Sequence, residues 1–245
     1  MRRENWPSRE ELVDHEAGNM LNSAATAFPE KEGEERLWGD YREASELYQD
    51  YRTAAEEGDA EAMEEALEGL KAFDSPDTPE SSRRYVTGAV SLLEAGEDYE
   101  RLLNGDGVED SIRLGEALQP FEWYDRIDAE YDPDVEVSGD RSLRMVSNTM
   151  IKNWKDHAGG PDDSKMWVEL EEDDEYVHLQ VYDDGPGIGE EDPEQLFDYD
   201  PEVDSERDRI GLPIAQDITE EFNGSLEYFE PETGGMGYDW KLEKA

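Results

Sequence analysis

A predicted β-strand that runs directly into a glycine turn places the strongest constraint on how this chain can fold. Residues 176–182 alternate in character and are rich in β-branched and aromatic side chains, as a strand should be. Asp183 and Asp184 end the strand, and Gly185 and Gly187 then allow a tight turn. A carboxylate fixed at such a point can accept a hydrogen bond from an exocyclic amine, and the glycines leave room for a flat ring. An acidic hairpin loop without a ligand is the alternative.

Two predicted helices flank this strand in the sequence. The upstream helix covers residues 144–158 and carries Asn153. The downstream helix begins at Gly211 and ends near Gly224. The apolar residues at helical spacing are Leu143, Val146, Met150 and Trp154 in the first helix and Leu212, Ala215, Ile218 and Phe222 in the second. Each helix therefore has one apolar face.

The order of these segments resembles the ATP-binding domain shared by histidine kinases, gyrase-type ATPases, Hsp90-type chaperones and MutL. The matching positions of its N, G1 and G2 boxes are, in chain order, Asn153, Asp183-x-Gly185-x-Gly187 and Gly211-Leu212. In histidine kinases the last box reads G-L-x-I-V-x-x-I-V-E-x-H-G-G, and residues 211–224 (GLPIAQDITEEFNG) are similar to it. The resemblance covers roughly residues 110–243.

The resemblance implies a site for ATP and Mg²⁺. Asp183 would bind the adenine amine, and Asn153 would ligate Mg²⁺ on the phosphates, because Mg²⁺ prefers hard oxygen ligands. Backbone N–H groups at the start of a helix suit an anionic phosphate. The other residues implied to line the nucleotide are Gly185, Gly187, Gly211, Leu212 and Arg209, which stands where the family usually has glycine. The alternative for Asn153 is a hydrogen bond within its own helix.

The flanking segments fit the two-layer α/β sandwich of that family, a Bergerat-type fold. Short strands are predicted at residues 111–114 and 135–137, and hairpins at residues 166–182 and 225–242. Most of residues 116–131 is predicted to be a helix that contains Pro120 near its start.

Residues 1–107 differ from this pattern, because they are helical in character and contain few β-branched side chains. One helix is predicted from Ser8 to about Phe28, and another ends near Leu103 after a linker at residues 75–79. Between them, apolar positions at helical spacing are Leu37, Tyr41, Ala44, Tyr48, Tyr51, Met63, Leu67 and Leu70. The fold class is therefore α+β. A helical bundle at residues 1–107 precedes an ATPase-like domain at residues 108–245.

A second resemblance lies inside the first predicted helix. The segment His15-Glu16-Ala-Gly-Asn19 resembles the H box of histidine kinases, commonly H-E-x-x-N/T-P-L, although Met20 stands in place of the proline. The resemblance implies that His15 accepts a phosphate and that Glu16 orients or deprotonates it. Imidazole is a nucleophile near neutral pH, and an adjacent carboxylate can fix its tautomer. Alternatively, His15 is an ordinary surface histidine.

Together the two resemblances predict a soluble, cytoplasmic histidine kinase of a two-component system. ATP would phosphorylate His15, and an aspartate in the receiver domain of a response regulator would take the phosphate. The helical domain is expected to form a homodimer. The alternative is a non-catalytic phosphotransfer or adaptor protein with a degenerate ATP-binding domain.

The chain is strongly acidic, with 22 Lys and Arg residues against 68 Asp and Glu residues and a net charge of −46. Because the acidic residues are spread along the whole chain, we favour a halophilic protein similar to those of haloarchaea over an acidic binder of basic partners. The absence of a basic patch disfavours nucleic-acid binding. The sequence shows no apolar run long enough for a membrane span and no signal peptide. It contains no cysteine, which excludes disulfides and thiolate metal sites.

We predict that the melting temperature rises with salt, because self-repulsion at this net charge weakens the compact state. The Debye length falls from about 10 Å at 0.1 M salt to about 3 Å at 1 M. Far-UV circular dichroism melts between about 0.1 and 3 M KCl test the prediction over that screening range. Sucrose is the uncharged control. A melting temperature that does not rise with KCl, or that rises equally with sucrose, would contradict the halophilic interpretation.

Overall fold

A computed structural model of the protein describes residue 17 and residues 34–73, 80–104, 111–189, 193–198 and 211–245. The predicted helix at residues 8–28 lies outside the described residues except for Ala17, which is helical and buried. The linker at residues 75–79 also lies outside them. The chain divides into two compact units, and the boundary falls between Glu97 and Asp98.

Helices form the described part of the first unit. Helix α1 spans Glu34–Glu57 and packs on α2, Ala60–Lys71. Between them the Asp59 carboxylate accepts a hydrogen bond from the N–H of Ala62 and so caps α2. Helix α3 spans Glu80–Asn104, and its residues from Asp98 onward belong to the second unit. The predicted apolar positions that are buried are Ala44, Tyr48, Tyr51, Leu67 and Leu70. The helical character predicted for this region is therefore confirmed.

A five-stranded sheet forms one layer of the second unit. Its strands are β2 (Ile127–Glu130), β4 (Met166–Glu172), β5 (Tyr176–Asp183), β6 (Ser225–Phe229) and β7 (Gly237–Glu243). They lie in the order β2-β4-β5-β7-β6, in which β2 and β4 are parallel and the other neighbours are antiparallel. Short strands β1 (Ile112–Arg113) and β3 (Glu136–Val137) pair separately. Both predicted hairpins are confirmed.

Helices form the other layer. The short helix α4 spans Leu114–Ala117, α5 spans Leu143–His157, α6 spans Gly160–Asp163 and α7 spans Gly211–Glu221. Helices α5 and α7 contact each other, and their predicted apolar faces are buried. The inward side chains of the sheet include Val168, Val177, Leu179, Val181, Tyr238, Trp240 and Leu242. The predicted α+β class and the two-layer sandwich are therefore confirmed.

The helix predicted over most of residues 116–131 is wrong. Helix α4 ends at Ala117, a 3₁₀ helix spans Gln119–Trp123, and β2 follows. Pro120 has no N–H and lies in the first positions of the 3₁₀ helix, so it favours a new start over continuation of α4. Strand β2 is held by parallel pairing with residues 166–169, which are distant in sequence.

None of the helices within the described residues combines the length and the apolar composition that a membrane span requires.

Asp98 ties the last turns of α3 to the start of α5. Its buried carboxylate, 2% exposed, accepts three hydrogen bonds from Arg141: 2.9 Å from Nε, 3.1 Å from Nη2 and 3.2 Å from the backbone N–H. A bidentate guanidinium–carboxylate pair is among the stronger polar contacts in proteins. This pair therefore fixes where α5 begins.

Replacing Asp98 with alanine is expected to lower the free energy of unfolding by about 2–3 kcal/mol. This lies below the full cost of breaking a buried pair, because the Arg141 side chain is 32% exposed. Glu116→Ala is the control, since it breaks an exposed pair with Arg113 and should cost no more than about 1 kcal/mol. Chemical denaturation of both variants in molar KCl checks the prediction. Equal losses would contradict the anchoring role of Asp98.

Candidate functional site

Asp183 ends β5 with its side chain buried and only 3% exposed. Its Oδ1 accepts hydrogen bonds from the N–H of Gly185 at 2.7 Å and from the N–H of Met236 at 3.3 Å. The hydroxyl of Thr233 donates to its main-chain oxygen at 2.6 Å. No described residue donates to Oδ2. The carboxylate is therefore held by one oxygen, and the other keeps its capacity to accept a hydrogen bond.

The electrostatic surroundings of Asp183 disfavour its charged form. Burial raises the pKa of this carboxyl above its ordinary value of 3.8, and the neighbouring charge of Asp184 raises it further. The N–H groups of Gly185 and Met236 lower the pKa and offset part of this rise. Such a carboxylate gains from a donor that a ligand supplies.

Glycines allow two loops to close around Asp183. A Cβ on Gly235 would lie 2.1 Å from the main-chain oxygen of Asp183, and a Cβ on Gly185 would lie 2.4 Å from the Cβ of Ala158. The space beside Gly185 is thus filled by protein, so this glycine serves close backbone approach. Gly187 has a φ of +67°, in the left-handed region that favours glycine.

Asn153 lies on α5 and reaches the sheet. Its Nδ2 donates a hydrogen bond of 2.9 Å to the hydroxyl of Tyr238 in β7. This contact orients the amide, so Oδ1 keeps both lone pairs and accepts from no described residue. A free amide oxygen is a hard ligand that suits Mg²⁺. Among the described residues, no group of three or more His, Asp or Glu side chains could hold a metal ion. A cation at Asn153 would therefore need further oxygens from the phosphates.

Gly211 begins α7 beside the same face of α5. A Cβ on Gly211 would lie 3.1 Å from Cγ2 of Thr149, which is one helical turn before Asn153. Leu212 follows and is buried. The structure therefore places the predicted positions Asn153 and Gly211 near one another. Outside the described residues lie His15, Glu16, Asn19 and Arg209.

Sequence reasoning missed four participants that reach Asp183 or Asn153 from β7 and the loop before it. These are Thr233, Gly235, Met236 and Tyr238. The pair Gly234-Gly235 reads in sequence as an ordinary hairpin loop, and Tyr238 reads as one apolar position of an alternating strand. A polar hydroxyl at an inward strand position is the signal that could have identified Tyr238.

Residues 139–244 match the family of histidine kinase-, DNA gyrase B- and HSP90-like ATPases. This segment is similar to the ATPase domains of that family. The resemblance drawn from the sequence motifs is therefore confirmed for the ATPase domain, which contains Asn153, Asp183 and Gly211.

Relatives of the ATPase domain include bacterial sensor proteins. Over 70 residues the chain is 36% identical to the sensor protein PhoQ of Escherichia coli strain K12 and to the virulence sensor protein PhoQ of Shigella flexneri. The match covers 28% of this chain and 14% of each relative, so it concerns a small part of those proteins.

Two solved structures are also similar. The Mycobacterial sensor histidine kinase MprB has 18% identity and a TM-score of 0.46, and the match covers 56% of this chain and 98% of that one. The histidine kinase domain of the E. coli osmosensor EnvZ has 27% identity and a TM-score of 0.42, with 57% and 92% covered.

We predict that Asp183→Asn weakens ATP·Mg²⁺ binding by about 1–3 kcal/mol, because an amide nitrogen would face the adenine amine. The same change should leave the melting temperature at neutral pH equal or higher. The pKa of Asp183 in the folded protein lies above the unfolded value of 3.8. The protonated carboxyl therefore adds stability below pH 3.8, and this stability is lost as the pH rises through the folded pKa.

Isothermal titration and thermal melts of the variant check both parts. Asp184→Asn is the matched control, since it makes the same change at the next position, whose exposed side chain accepts from the N–H of Lys165. Equal ATP affinity in the wild type and Asp183→Asn would refute the adenine assignment.

Proposed function

We propose that this protein is a histidine kinase of a two-component system, which binds ATP with Mg²⁺ in its ATPase domain and phosphorylates His15. The observation that carries this proposal is the placement of two acceptor oxygens within a domain of the ATPase family. Oδ2 of Asp183 and Oδ1 of Asn153 each accept from no described residue, and Tyr238, which binds the amide of Asn153, lies close enough to Asp183 to feel its charge.

The residues of the candidate site suit the two ends of a nucleotide. Asp183 would accept a hydrogen bond from the adenine amine, and Gly185 and Gly187 would shape the loop beside it. Asn153 would supply an oxygen to Mg²⁺, which neutralises phosphate charge when bound. Backbone N–H groups at the start of α7, at Gly211 and Leu212, would face the phosphates. Arg209 would pair with a phosphate directly, since a guanidinium offers five donors.

The transfer reaction would take place at His15. One imidazole nitrogen forms a bond to the γ-phosphorus of ATP while the bond from that phosphorus to the ADP oxygen breaks, and ADP leaves. The imidazole proton passes to Glu16, and Asn19 completes the motif four positions after His15 in the sequence. An aspartate in the receiver domain of a response regulator then takes the phosphoryl group, which leaves His15 free again.

The proposal also includes a homodimer formed through the helical region and a location in the cytoplasm. A homodimer through this region would present His15 of one subunit to an ATPase domain, and the cytoplasm would supply both ATP and the regulator. A phosphotransfer or adaptor protein is the second candidate. The observation that favours it is Arg209, which stands where the family usually has glycine and so leaves fewer flexible backbone donors for the phosphates.

Incubation with radiolabelled ATP and Mg²⁺ in molar KCl is expected to label the wild type slowly and to leave His15→Gln unlabelled. The label should be acid-labile and alkali-stable, as a phosphohistidine is. His157→Gln is the matched control and should keep the label, because His157 ends α5 with its side chain exposed.

The result separates the two candidate functions. Label that survives His15→Gln would exclude this histidine as the acceptor. Absence of label in the wild type, together with acceptance of phosphate from a phosphorylated regulator, would support the phosphotransfer protein instead. A faster reaction in Arg209→Gly would identify the arginine as an impediment, whereas loss of reaction would identify it as a phosphate ligand.

A further inference from the structure

Tyr238 connects the sheet to the helix layer at the centre of the proposed site. It lies in β7 opposite Val181 of β5, with its side chain 2% exposed. In an antiparallel pair, directly opposed residues share one face of the sheet, and residues two positions apart along a strand share it too. Tyr238 therefore projects from the same inner face as Asp183 and is its diagonal neighbour.

The phenol hydroxyl reaches across to α5. It accepts the hydrogen bond from Nδ2 of Asn153 at 2.9 Å, a contact between residues 85 positions apart in the chain. An asparagine amide can be turned by half a rotation about its last torsion, which exchanges the oxygen with the nitrogen. In the structure the nitrogen faces the phenol hydroxyl, which accepts from it, and the oxygen therefore lies on the other side of the amide.

The surroundings keep this hydroxyl protonated and neutral. Burial raises the pKa of Tyr238, and the nearby charge of Asp183 raises it further, while the hydrogen bond from Asn153 lowers it. Asp183 itself is held by the N–H groups of Gly185 and Met236 and has no hydrogen bond to the phenol. Loss of the hydroxyl would therefore affect the orientation of Asn153 and leave the hold on Asp183 intact.

We propose that Tyr238 is a positioning residue that fixes the amide of Asn153 with Oδ1 toward the Mg²⁺ of the bound nucleotide. This role rests on the proposed function, and it adds a residue that acts on the cation through Asn153 rather than on the adenine. Partners that orient a metal ligand commonly change metal affinity by about 10- to 100-fold when they are removed.

The test compares the affinity for ADP in EDTA with that in Mg²⁺, in molar KCl, and the ratio of the two is the magnesium gain. Tyr238→Phe is expected to reduce the magnesium gain about tenfold and to leave the affinity in EDTA unchanged. Tyr182→Phe is the matched control. Tyr182 lies in β5, the strand next to β7, and its hydroxyl donates to Glu169 at 2.7 Å. This control should keep the full gain.

A double-variant cycle identifies the path of the effect. Asn153→Ala should abolish the magnesium gain, and Tyr238→Phe should then have no further effect. A merely structural role for the tyrosine would instead lower the affinity in EDTA by the same factor as that in Mg²⁺. That outcome, or a full magnesium gain in Tyr238→Phe, would overturn the proposal while the kinase function stands.

A measurement without nucleotide separates this proposal from the proposed function. The side-chain NH₂ resonances of Asn153, assigned by comparison with Asn153→Ala, should shift and exchange faster with water in Tyr238→Phe than in Tyr182→Phe. Unchanged resonances would overturn the positioning role even if ATP binds. A wild type that binds no nucleotide would refute the proposed function and the magnesium role of Tyr238 together, whatever the resonances show.

Discussion

The buried carboxylate of Asp183 is the group on which the rest of the site depends. A carboxylate that is almost excluded from water requires hydrogen-bond donors, and the chain supplies them from the backbone of Gly185 and Met236. To bring these N–H groups close enough, the loops after β5 and before β7 must approach the strand end without side chains. Gly185 and Gly235 meet that requirement, because a Cβ at either position would collide with neighbouring atoms. The glycine pattern is thus a consequence of the buried charge.

The same site joins the two layers of the sandwich. Asn153 projects from α5, and its amide is bound by the hydroxyl of Tyr238 from the sheet. The position of α5 is fixed at its other end, where Asp98 accepts three hydrogen bonds from Arg141 just before the helix begins. A ligand oxygen carried by a helix is placed well only when the helix and the side chain are both held. The Asp98–Arg141 contact holds the start of α5, and the Tyr238 contact holds the Asn153 side chain near its end.

Patterns along the chain predicted the elements that have one buried face. Residues 176–182 alternate, and β5 buries Val177, Leu179 and Val181 as that alternation requires. Strand β2 escaped prediction because residues 128–130 are exposed, so no burial imposes an alternation on them, and pairing with β4 alone makes them a strand. The charge pattern predicted an environment rather than a fold, since acidic residues spread over a surface do not specify which faces pack.

The sequence by itself determined the local features of the site: a strand that ends in Asp183, glycines that permit a tight turn, and a helix that carries Asn153. These follow from backbone freedom and side-chain periodicity, which act over a few residues. Only the tertiary structure decided that Gly235 closes on Asp183 and that Tyr238 orients Asn153. Both contacts join segments that are far apart in the chain. Strand pairing between β5 and β7 and the packing of α5 on the sheet bring those segments together.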